Sequence, residues 1–421
     1  MSETKRIIYV HANWVGIDTP MLIGRLYCSP HRNKEVYRFE YDDTWLHGPN
    51  VFQFDPELSL YSGPLHKTDG SNYNFRSFLD SCPDRWGKTL LQRREAIVAR
   101  KEDRKPKTLL DSDYLLGVHD KYRMGGLRFS LDLLGPFLDD NDGMAAPPMS
   151  SIKELAYASQ RIVEDDNTQD DETLKWLKLL IVPGGSLGGA RPKASVTEKD
   201  GSEWIAKFPG KNDEIDIAAW EYMTYQLAQK AGIYMSECRL ERFEHEHHTF
   251  ITKRFDRIPQ GRLHFSSALT QLEKYDGDGD SSYLELAEFI TDNGVNAKED
   301  LRQLWRRIIF NIAVSNTDDH LRNHGFILSS QRGASGWLLS PAYDINPSID
   351  KSGLHLNITE HNNSLDYQLA FEVAELFQLS AEHAQKIYDE VLHSVSKWQS
   401  LATNLKISRA DQQLMRGAFN V

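Results

Sequence analysis

The chain has 421 residues, of which 40% are hydrophobic and 26% are charged, a balance typical of a soluble globular protein and not of a disordered one. Its 49 basic and 61 acidic residues leave a net charge of −12, which argues against bulk electrostatic binding to nucleic acid or to an anionic membrane. No apolar run approaches the roughly 20 residues of a membrane helix and the N-terminus lacks a signal-peptide core, so we expect a cytoplasmic protein of two or three domains.

The three cysteines are Cys28, Cys82 and Cys238. They are odd in number and widely spaced, so they form neither a disulfide framework nor a paired metal-binding motif. We expect buried or half-buried free thiols, which is the common state of cysteine in a reducing compartment.

The first part of the chain is predicted to form a small sheet followed by helices. Alternating apolar runs at residues 22–27 and 36–41 indicate strands, and residues 74–79 and 86–99 have helical patterns. The composition then changes at residues 135–148, where prolines and a run of acidic residues predict an exposed linker.

The middle of the chain is predicted to contain a glycine-rich loop at residues 183–193, set among helices and strands. The elements predicted around it are helices at 150–163 and 173–181, strands at 194–197 and 204–208, a helix at 214–231, and strands at 238–243 and 249–253.

From about residue 281 the chain is predicted to be mainly helical. One helix presents an apolar stripe at helical spacing, which indicates a buried face. The stripe consists of Leu301, Leu304, Trp305, Ile308, Ile309 and Ile312. A hairpin of residues 325–328 and 336–339 follows, so the sequence combines a β-rich first half with a helical second half.

The segment after the buried helix carries two carboxylates, an imidazole and an amide. Phosphoryl transfer needs a carboxylate that orients the attacking hydroxyl and an amide oxygen, five residues later, that helps to hold Mg²⁺. Asp318 and Asn323 have this spacing and Asp319 does not, so Asp318 is the candidate base. Asp344 follows the predicted hairpin and is the candidate second ligand, because Mg²⁺ prefers oxygen atoms.

Three further features precede this segment in the order found in protein kinases. Backbone N–H groups of residues 184–190 could cradle phosphates, and Lys207 lies on a predicted strand among apolar neighbours. Its ammonium should seek a charge partner, for which Glu221 on the next helix is the candidate. Each feature alone could be purely structural: a turn, a solvated lysine or a surface charge. The specific signal for a kinase is the complete set in this order.

Three motifs carry a resemblance to a known family. They are the sequences at residues 186–193, 317–323 and 340–345, supported by residues 78–87 and 125–129 nearer the N-terminus. The sequence resembles the HipA family of bacterial serine/threonine kinases, the toxin component of HipBA-type toxin–antitoxin systems.

The resemblance covers nearly the whole chain and implies an α+β, two-lobed protein-kinase-like fold. It implies a β-rich accessory domain at residues 1–145, a kinase N-lobe at 146–258 and a helical C-lobe at 259–421.

The same resemblance implies ATP and Mg²⁺ as cofactors and gives roles to individual residues. Asp318 would be the catalytic base, Asn323 and Asp344 the Mg²⁺ ligands, and Ser186 the site of autophosphorylation. The nucleotide-binding residues that it implies are Ser186, Gly188, Gly189, Ala190, Lys207, Lys253, Phe255, His320, Asn323 and Asp344. Phe255 would pack on adenine, and backbone groups of Lys253 and Phe255 would bond it.

The implied function is a serine/threonine protein kinase that arrests growth by phosphorylating a cellular protein, aminoacyl-tRNA synthetases being among the family's targets. The implied partner is a small helix-turn-helix antitoxin similar to HipB, through which any contact with DNA would be made. Two alternatives remain: a catalytically silent pseudokinase that serves as a binding module, and a small-molecule kinase on the same fold.

Two other motifs resemble metal-binding sequences only weakly. Residues 276–280 resemble the start of a calcium-binding EF-hand loop, but Ser281 stands where that loop needs glycine and Ala287 where it needs glutamate. We therefore expect a mobile acidic loop. The histidine-rich residues 245–248 could bind a transition metal, and we expect them to form the polar tip of a hairpin.

Overall fold

A computed structural model describes residues 5–31, 34–67, 73–138, 148–164, 177, 180, 189, 191–243, 246–329, 336–350 and 352–421. The chain divides into two compact units, which are described one at a time. The first unit comprises residues 1–211 together with 256–266, and the second comprises 212–255 together with 267–421. The boundaries of the three predicted domains do not coincide with these units, and the division into three domains stays a prediction.

The first unit contains a five-stranded antiparallel sheet. Its strands, in spatial order, are Pro64–His66, Lys34–Tyr41, Met21–His31, Arg6–Ala12 and Leu127–Ser130. Alternate side chains of the second of these strands are buried, and the ring centroid of Phe39 lies 5.7 Å from that of Phe78. The strands predicted at 22–27 and 36–41 are confirmed, and the sequence pattern missed the first strand of the chain.

Among its described residues, the first unit also contains helices and two hairpins. The helices are Asp43–Leu46, Arg76–Asp80, Arg85–Lys101, Asp111–Leu116 and Ile152–Glu164, with short 3₁₀ turns at Asp120–Tyr122 and Met149–Ser151. The first hairpin pairs Lys193–Thr197 with Glu203–Lys207, as predicted, and the second pairs Arg257–Ile258 with Gly261–Arg262. The predicted helix at 173–181 lies almost entirely outside the described residues.

The segment 256–266 joins this unit through a buried carboxylate. Asp256 is fully buried and accepts hydrogen bonds from the backbone N–H of Gly125, at 2.8 Å, and from Arg257, at 2.6 Å. The guanidinium of Arg257 also donates to the carbonyls of Lys121 and Arg123. Because a buried charge is tolerated only where its partners are present, these bonds fix the segment to the first unit.

The second unit is mainly helical. Its helices are Ile217–Lys230, Ala268–Gln271, Tyr283–Asn293, Ala297–Ala313, Tyr367–Glu372, Ala381–Val395, Trp398–Asn404 and Arg409–Leu414, with 3₁₀ turns at Leu321–Asn323, Ala374–Phe377 and Met415–Ala418. Its hairpins pair Cys238–Glu241 with Thr249–Lys253 and Gly325–Ser329 with Gly336–Leu339. A short strand, Phe265–Ser267, lies where the chain passes from the first unit to the second.

The helix Ala297–Ala313 forms the core of the second unit. All six residues of the predicted apolar stripe are fully buried, which confirms that prediction. The indole of Trp305 also donates a hydrogen bond of 2.9 Å to the carbonyl of Ala370. The helix therefore gives a rigid support to the segment that follows its last residue.

Four smaller observations remain. All three cysteines are free and buried, as predicted. The acidic residues 276–280 are exposed. Among the described helices, none has the length and apolar character needed to cross a membrane. Of the histidine-rich segment, His245 lies outside the described residues.

A buried carboxyl group makes the stability of the second unit depend on pH. Asp300 is 7% exposed and accepts a hydrogen bond of 3.0 Å from the backbone of Leu339. Burial raises the pKa of Asp300 from 3.8 to about 6, although the Leu339 bond and the charge of Arg307 oppose the rise. The folded protein therefore holds this proton more tightly than the unfolded chain does.

We expect stability from this group to be fully present below pH ~4 and to be lost as the pH rises through ~6. Asp300→Asn removes the titration. The free energy of unfolding of the variant, relative to that of the wild type, should therefore rise by about 1–3 kcal/mol as the pH increases from 4 to 7. Urea unfolding at several pH values measures the difference, with the exposed Asp292→Asn as the control. A difference that stays constant with pH would contradict the prediction.

Candidate active site

The segment with the two carboxylates, residues 314–324, is called the Asp-Asp-His loop below. It begins directly after the buried helix, and Ser315 turns the chain there with a left-handed φ of 49°. The side chain of Asn420 donates to the Ser315 hydroxyl at 3.0 Å and to the carbonyl of Ile312 at 2.7 Å. These bonds satisfy groups at the end of the helix and fix the start of the loop.

The two neighbouring carboxylates of this loop have opposite environments. Asp318 is exposed, whereas Asp319 is 3% exposed. One oxygen of Asp319 accepts three hydrogen bonds, from Tyr283 at 2.5 Å, Asn311 at 2.7 Å and His324 at 2.8 Å. The carboxyl of Asp318 is therefore the one that a substrate can reach.

The partners of Asp319 also determine its charge. Burial alone would raise the pKa of Asp319, but the interactions with His324 and the hydrogen bond from Tyr283 hold that pKa below its usual value. Burial and the nearby Asp319 carboxylate raise the pKa of the Tyr283 hydroxyl well above its usual value. The carboxylate thus stays ionised and the phenol stays a donor near neutral pH.

Asn323 is brought to Asp318 by a backbone contact. It lies in the 3₁₀ turn Leu321–Asn323, is 6% exposed, and donates from its amide nitrogen to the carbonyl of Asp318 at 3.0 Å. Since the nitrogen makes this bond, the amide oxygen is the atom that could bind a cation. The sequence assigned Asp318 and Asn323 to the site from their spacing of five residues, and their roles as base and Mg²⁺ ligand stay predictions.

Asp344 lies in a second loop, residues 340–346, which is called the Asp344 loop. Its φ of 58° is left-handed, a conformation that costs a non-glycine residue energy and is enriched at functional sites. Asn346 donates to the carboxylate of Asp344 at 3.3 Å and, from its backbone, to the side-chain oxygen of Asn316 at 3.3 Å. Asn316 belongs to the Asp-Asp-His loop, so hydrogen bonds connect the two loops.

An aromatic residue that the sequence did not single out connects two predicted site residues. Tyr343 precedes Asp344, and its ring stacks on that of Phe255 with the centroids 5.5 Å apart. Its hydroxyl donates to the carbonyl of Arg322 at 2.8 Å. The sequence could have identified Tyr343 only by its position, as an aromatic residue directly before the candidate metal ligand.

Lys253 and His320 are the other predicted residues of the second unit. The backbone N–H of Lys253 donates to the carbonyl of Glu237 at 2.8 Å, and the side chain of Lys253 is half-buried. The His320 ring packs edge-to-face on His355, with centroids 5.7 Å apart. Their roles in nucleotide binding stay predictions.

The remaining predicted residues belong mainly to the first unit. Lys207 is half-buried at the end of the strand Glu203–Lys207, and Gly189 has a left-handed φ of 93°. Glu221 is 5% exposed on the helix Ile217–Lys230 of the second unit, and its ion pair with Lys207 stays a prediction. The predicted phosphate-loop residues outside the described residues are Ser186, Gly188 and Ala190.

A buried ion pair anchors the end of the glycine-rich segment. The ammonium of Lys193 lies 2.7 Å from the carboxylate of Asp84, and the two side chains are only 4% and 5% exposed. Asp84 also caps the helix Arg85–Lys101 by accepting from the backbone N–H of Gly87 at 2.8 Å. Both charged residues lie in the motifs that suggested a family, but the sequence did not show that they meet.

Comparison with known families decides the assignment. The profile described as HipA-like C-terminal domain matches residues 185–399, just over half of the chain. This chain belongs to the HipA family.

Individual relatives agree with this membership. A Haemophilus influenzae protein named "Putative kinase" is 29% identical over 182 residues, which are 38% of this chain and 52% of that protein. "Putative kinase Y4dM" of Sinorhizobium fredii is 23% identical over 237 residues, which are 50% of this chain and 55% of that protein. The chain thus spans about half the length of the curated relatives it matches.

A solved structure supports the fold. HipA of Shewanella oneidensis MR-1, solved with HipB and its operator DNA, aligns with a TM-score of 0.63 over 98% of this chain and 94% of that chain, at 16% identity. The predicted α+β, kinase-like HipA fold is therefore confirmed.

The buried pair of this HipA-family chain gives a stability prediction. Lys193→Met leaves the Asp84 carboxylate buried without its cation, so we expect a loss of about 3 kcal/mol in the free energy of unfolding. Lys199→Met removes the same group from an exposed turn and should cost less than about 0.5 kcal/mol. Equal urea midpoints for the two variants would show that the ion pair contributes nothing.

Proposed function

We propose that this HipA-family chain is an ATP- and Mg²⁺-dependent serine/threonine protein kinase. The observation that carries the proposal is the opposed burial of Asp318 and Asp319, which leaves the Asp318 carboxyl exposed in the loop where Asn323 bonds the Asp318 backbone. An exposed carboxylate next to a cation-binding amide is the arrangement that phosphoryl transfer to a hydroxyl requires.

The donor set fits a magnesium ion. Mg²⁺ binds oxygen atoms and usually retains several waters, so one or two protein ligands suffice. The amide oxygen of Asn323 and the carboxylate of Asp344 would hold it, because the nitrogen of Asn323 is already bonded to the carbonyl of Asp318. When bound, the ion would neutralise negative charge on the nucleotide phosphates.

Asp318 would orient the substrate and accept its proton. The serine or threonine oxygen forms a bond to the γ-phosphorus as the bond from that phosphorus to the bridging oxygen of ADP breaks. The hydroxyl proton passes to the carboxylate of Asp318. The exposure of this side chain is consistent with a protein substrate, which needs an open approach.

The nucleotide would be held by the residues that the sequence motifs assign to it. Lys207, paired with Glu221, would bind phosphate oxygens together with the glycine-rich loop, and His320 would contact the nucleotide. Phe255 would stack on adenine, and its contact with Tyr343 supports this role by fixing the ring beside the Asp344 loop.

Ser186 would be the site of autophosphorylation. A phosphate of roughly −2 charge inside a loop that cradles ATP phosphates would repel them. Modification of Ser186 would therefore lower the affinity for ATP and inactivate the kinase.

In the cell, the kinase would act as the toxin of a toxin–antitoxin module and arrest growth. Its target would be a cellular protein, with an aminoacyl-tRNA synthetase as the first candidate. A small helix-turn-helix antitoxin similar to HipB would bind the chain and carry the contact with DNA. The Shewanella HipA that shares the fold was solved with HipB and operator DNA, which supports this partner.

Asp318→Asn tests the proposal directly. The variant should lose γ-phosphate transfer from labelled ATP by at least about 10³-fold, because the base is gone, while its folding stays intact. Asp292→Asn, on an exposed helix position of the same unit, should keep wild-type activity. With wild-type protein and cell lysate, we expect label on one protein band and on the peptide that contains Ser186.

The other outcomes separate the alternatives. Label on small metabolites alone would indicate a small-molecule kinase. ATP binding without any transfer would indicate a pseudokinase module. Unchanged transfer by Asp318→Asn would refute the assignment of the base.

A further inference from the structure

A buried polar cluster lies behind the exposed Asp318. It consists of Tyr283, Asn311, Asn316, Asp319 and His324, each at most 3% exposed, and is called the Asp319 cluster. The proposed reaction uses none of these side chains directly.

We propose that Asp319 is a positioning residue that holds the Asp-Asp-His loop and the Asp344 loop in one fixed geometry. The proposal rests on the proposed function, because it assigns the geometry that Asp318, Asn323 and Asp344 need.

The first argument is the closure of the Asp-Asp-His loop. Asn311 lies before the loop and His324 ends it, yet both donate to the same oxygen of Asp319, at 2.7 and 2.8 Å. Tyr283 adds a third bond from the neighbouring helix. One carboxylate thus joins the two ends of the segment that carries Asp318.

The second argument is a path of hydrogen bonds to the Asp344 loop. The side-chain oxygen of Asn311 accepts from the amide of Asn316 at 3.1 Å, and the oxygen of Asn316 accepts from the backbone of Asn346 at 3.3 Å. Asn346 in turn donates to the carboxylate of Asp344 at 3.3 Å. A substitution of Asp319 should therefore alter the geometry of both loops.

The chemistry of the position favours a carboxylate over an amide. An ionised carboxylate only accepts hydrogen bonds, and Asp319 faces three donors. An asparagine there would present two N–H groups to a donor-rich environment and would lack the charge. Partners that orient functional groups typically change activity by about 10–100-fold when they are altered.

The test compares Asp319→Asn with Tyr283→Phe, which removes a single hydroxyl, and with Asp292→Asn as the surface control. We expect Asp319→Asn to lower kcat by about 30-fold with KM for ATP changed less than about threefold. Tyr283→Phe should also lower kcat, but by a smaller factor than Asp319→Asn does.

Amide hydrogen exchange gives a readout that does not depend on activity. In Asp319→Asn, exchange should accelerate in residues 314–324 and 340–346, and the helix Ala381–Val395 should exchange as in the wild type. Tyr283→Phe should give the same pattern at smaller amplitude, which covers the case in which Asp319→Asn fails to fold.

Unchanged exchange in either loop would overturn the proposal, and so would acceleration spread evenly over the second unit, which indicates general destabilisation. If the wild type transfers no phosphate, the proposed function fails, and the exchange pattern still decides whether Asp319 holds the two loops.

Discussion

The enclosed charge of Asp319 is the constraint on which the candidate site depends. A carboxylate that is almost fully buried is stable only if donors satisfy it, and here three side chains converge on one oxygen. Asp318, which directly precedes Asp319 in the chain, is exposed. The candidate base thus lies next to a carboxylate whose position three hydrogen bonds fix.

The first unit also contains a buried charged group that its partners satisfy. The Lys193–Asp84 ion pair is buried at the end of the glycine-rich segment, and one of its members also caps a helix. Breaking a buried pair leaves an unpaired charge, so such a pair enforces one arrangement even where its net contribution to stability is small. In both units, a segment of the candidate site is attached to a buried charged group that has at least one partner 36 or more residues away along the chain.

This separation along the chain explains what the sequence could and could not predict. The buried helix and the hairpins were predictable because their apolar patterns repeat within a few residues, and the spacing that made Asp318 and Asn323 candidates is equally local. The contact of Lys193 with Asp84 spans 109 residues, and that of Asp319 with Tyr283 spans 36, so no local period encodes them. Tyr343 was missed for the same reason, since its partner Phe255 is remote in sequence.

Backbone strain shows that the tertiary contacts determine the site geometry. Ser315 and Asp344 both have left-handed φ values, which cost a non-glycine residue roughly 1–2 kcal/mol. Ser315 is held by Asn420 and by the backbone of Ser348, whose N–H donates to its carbonyl at 3.2 Å. Net hydrogen-bond contributions of about 1 kcal/mol each are enough to offset such a cost. The strained turn at the start of the Asp-Asp-His loop thus persists because these polar contacts hold it, and not because local sequence preference favours it.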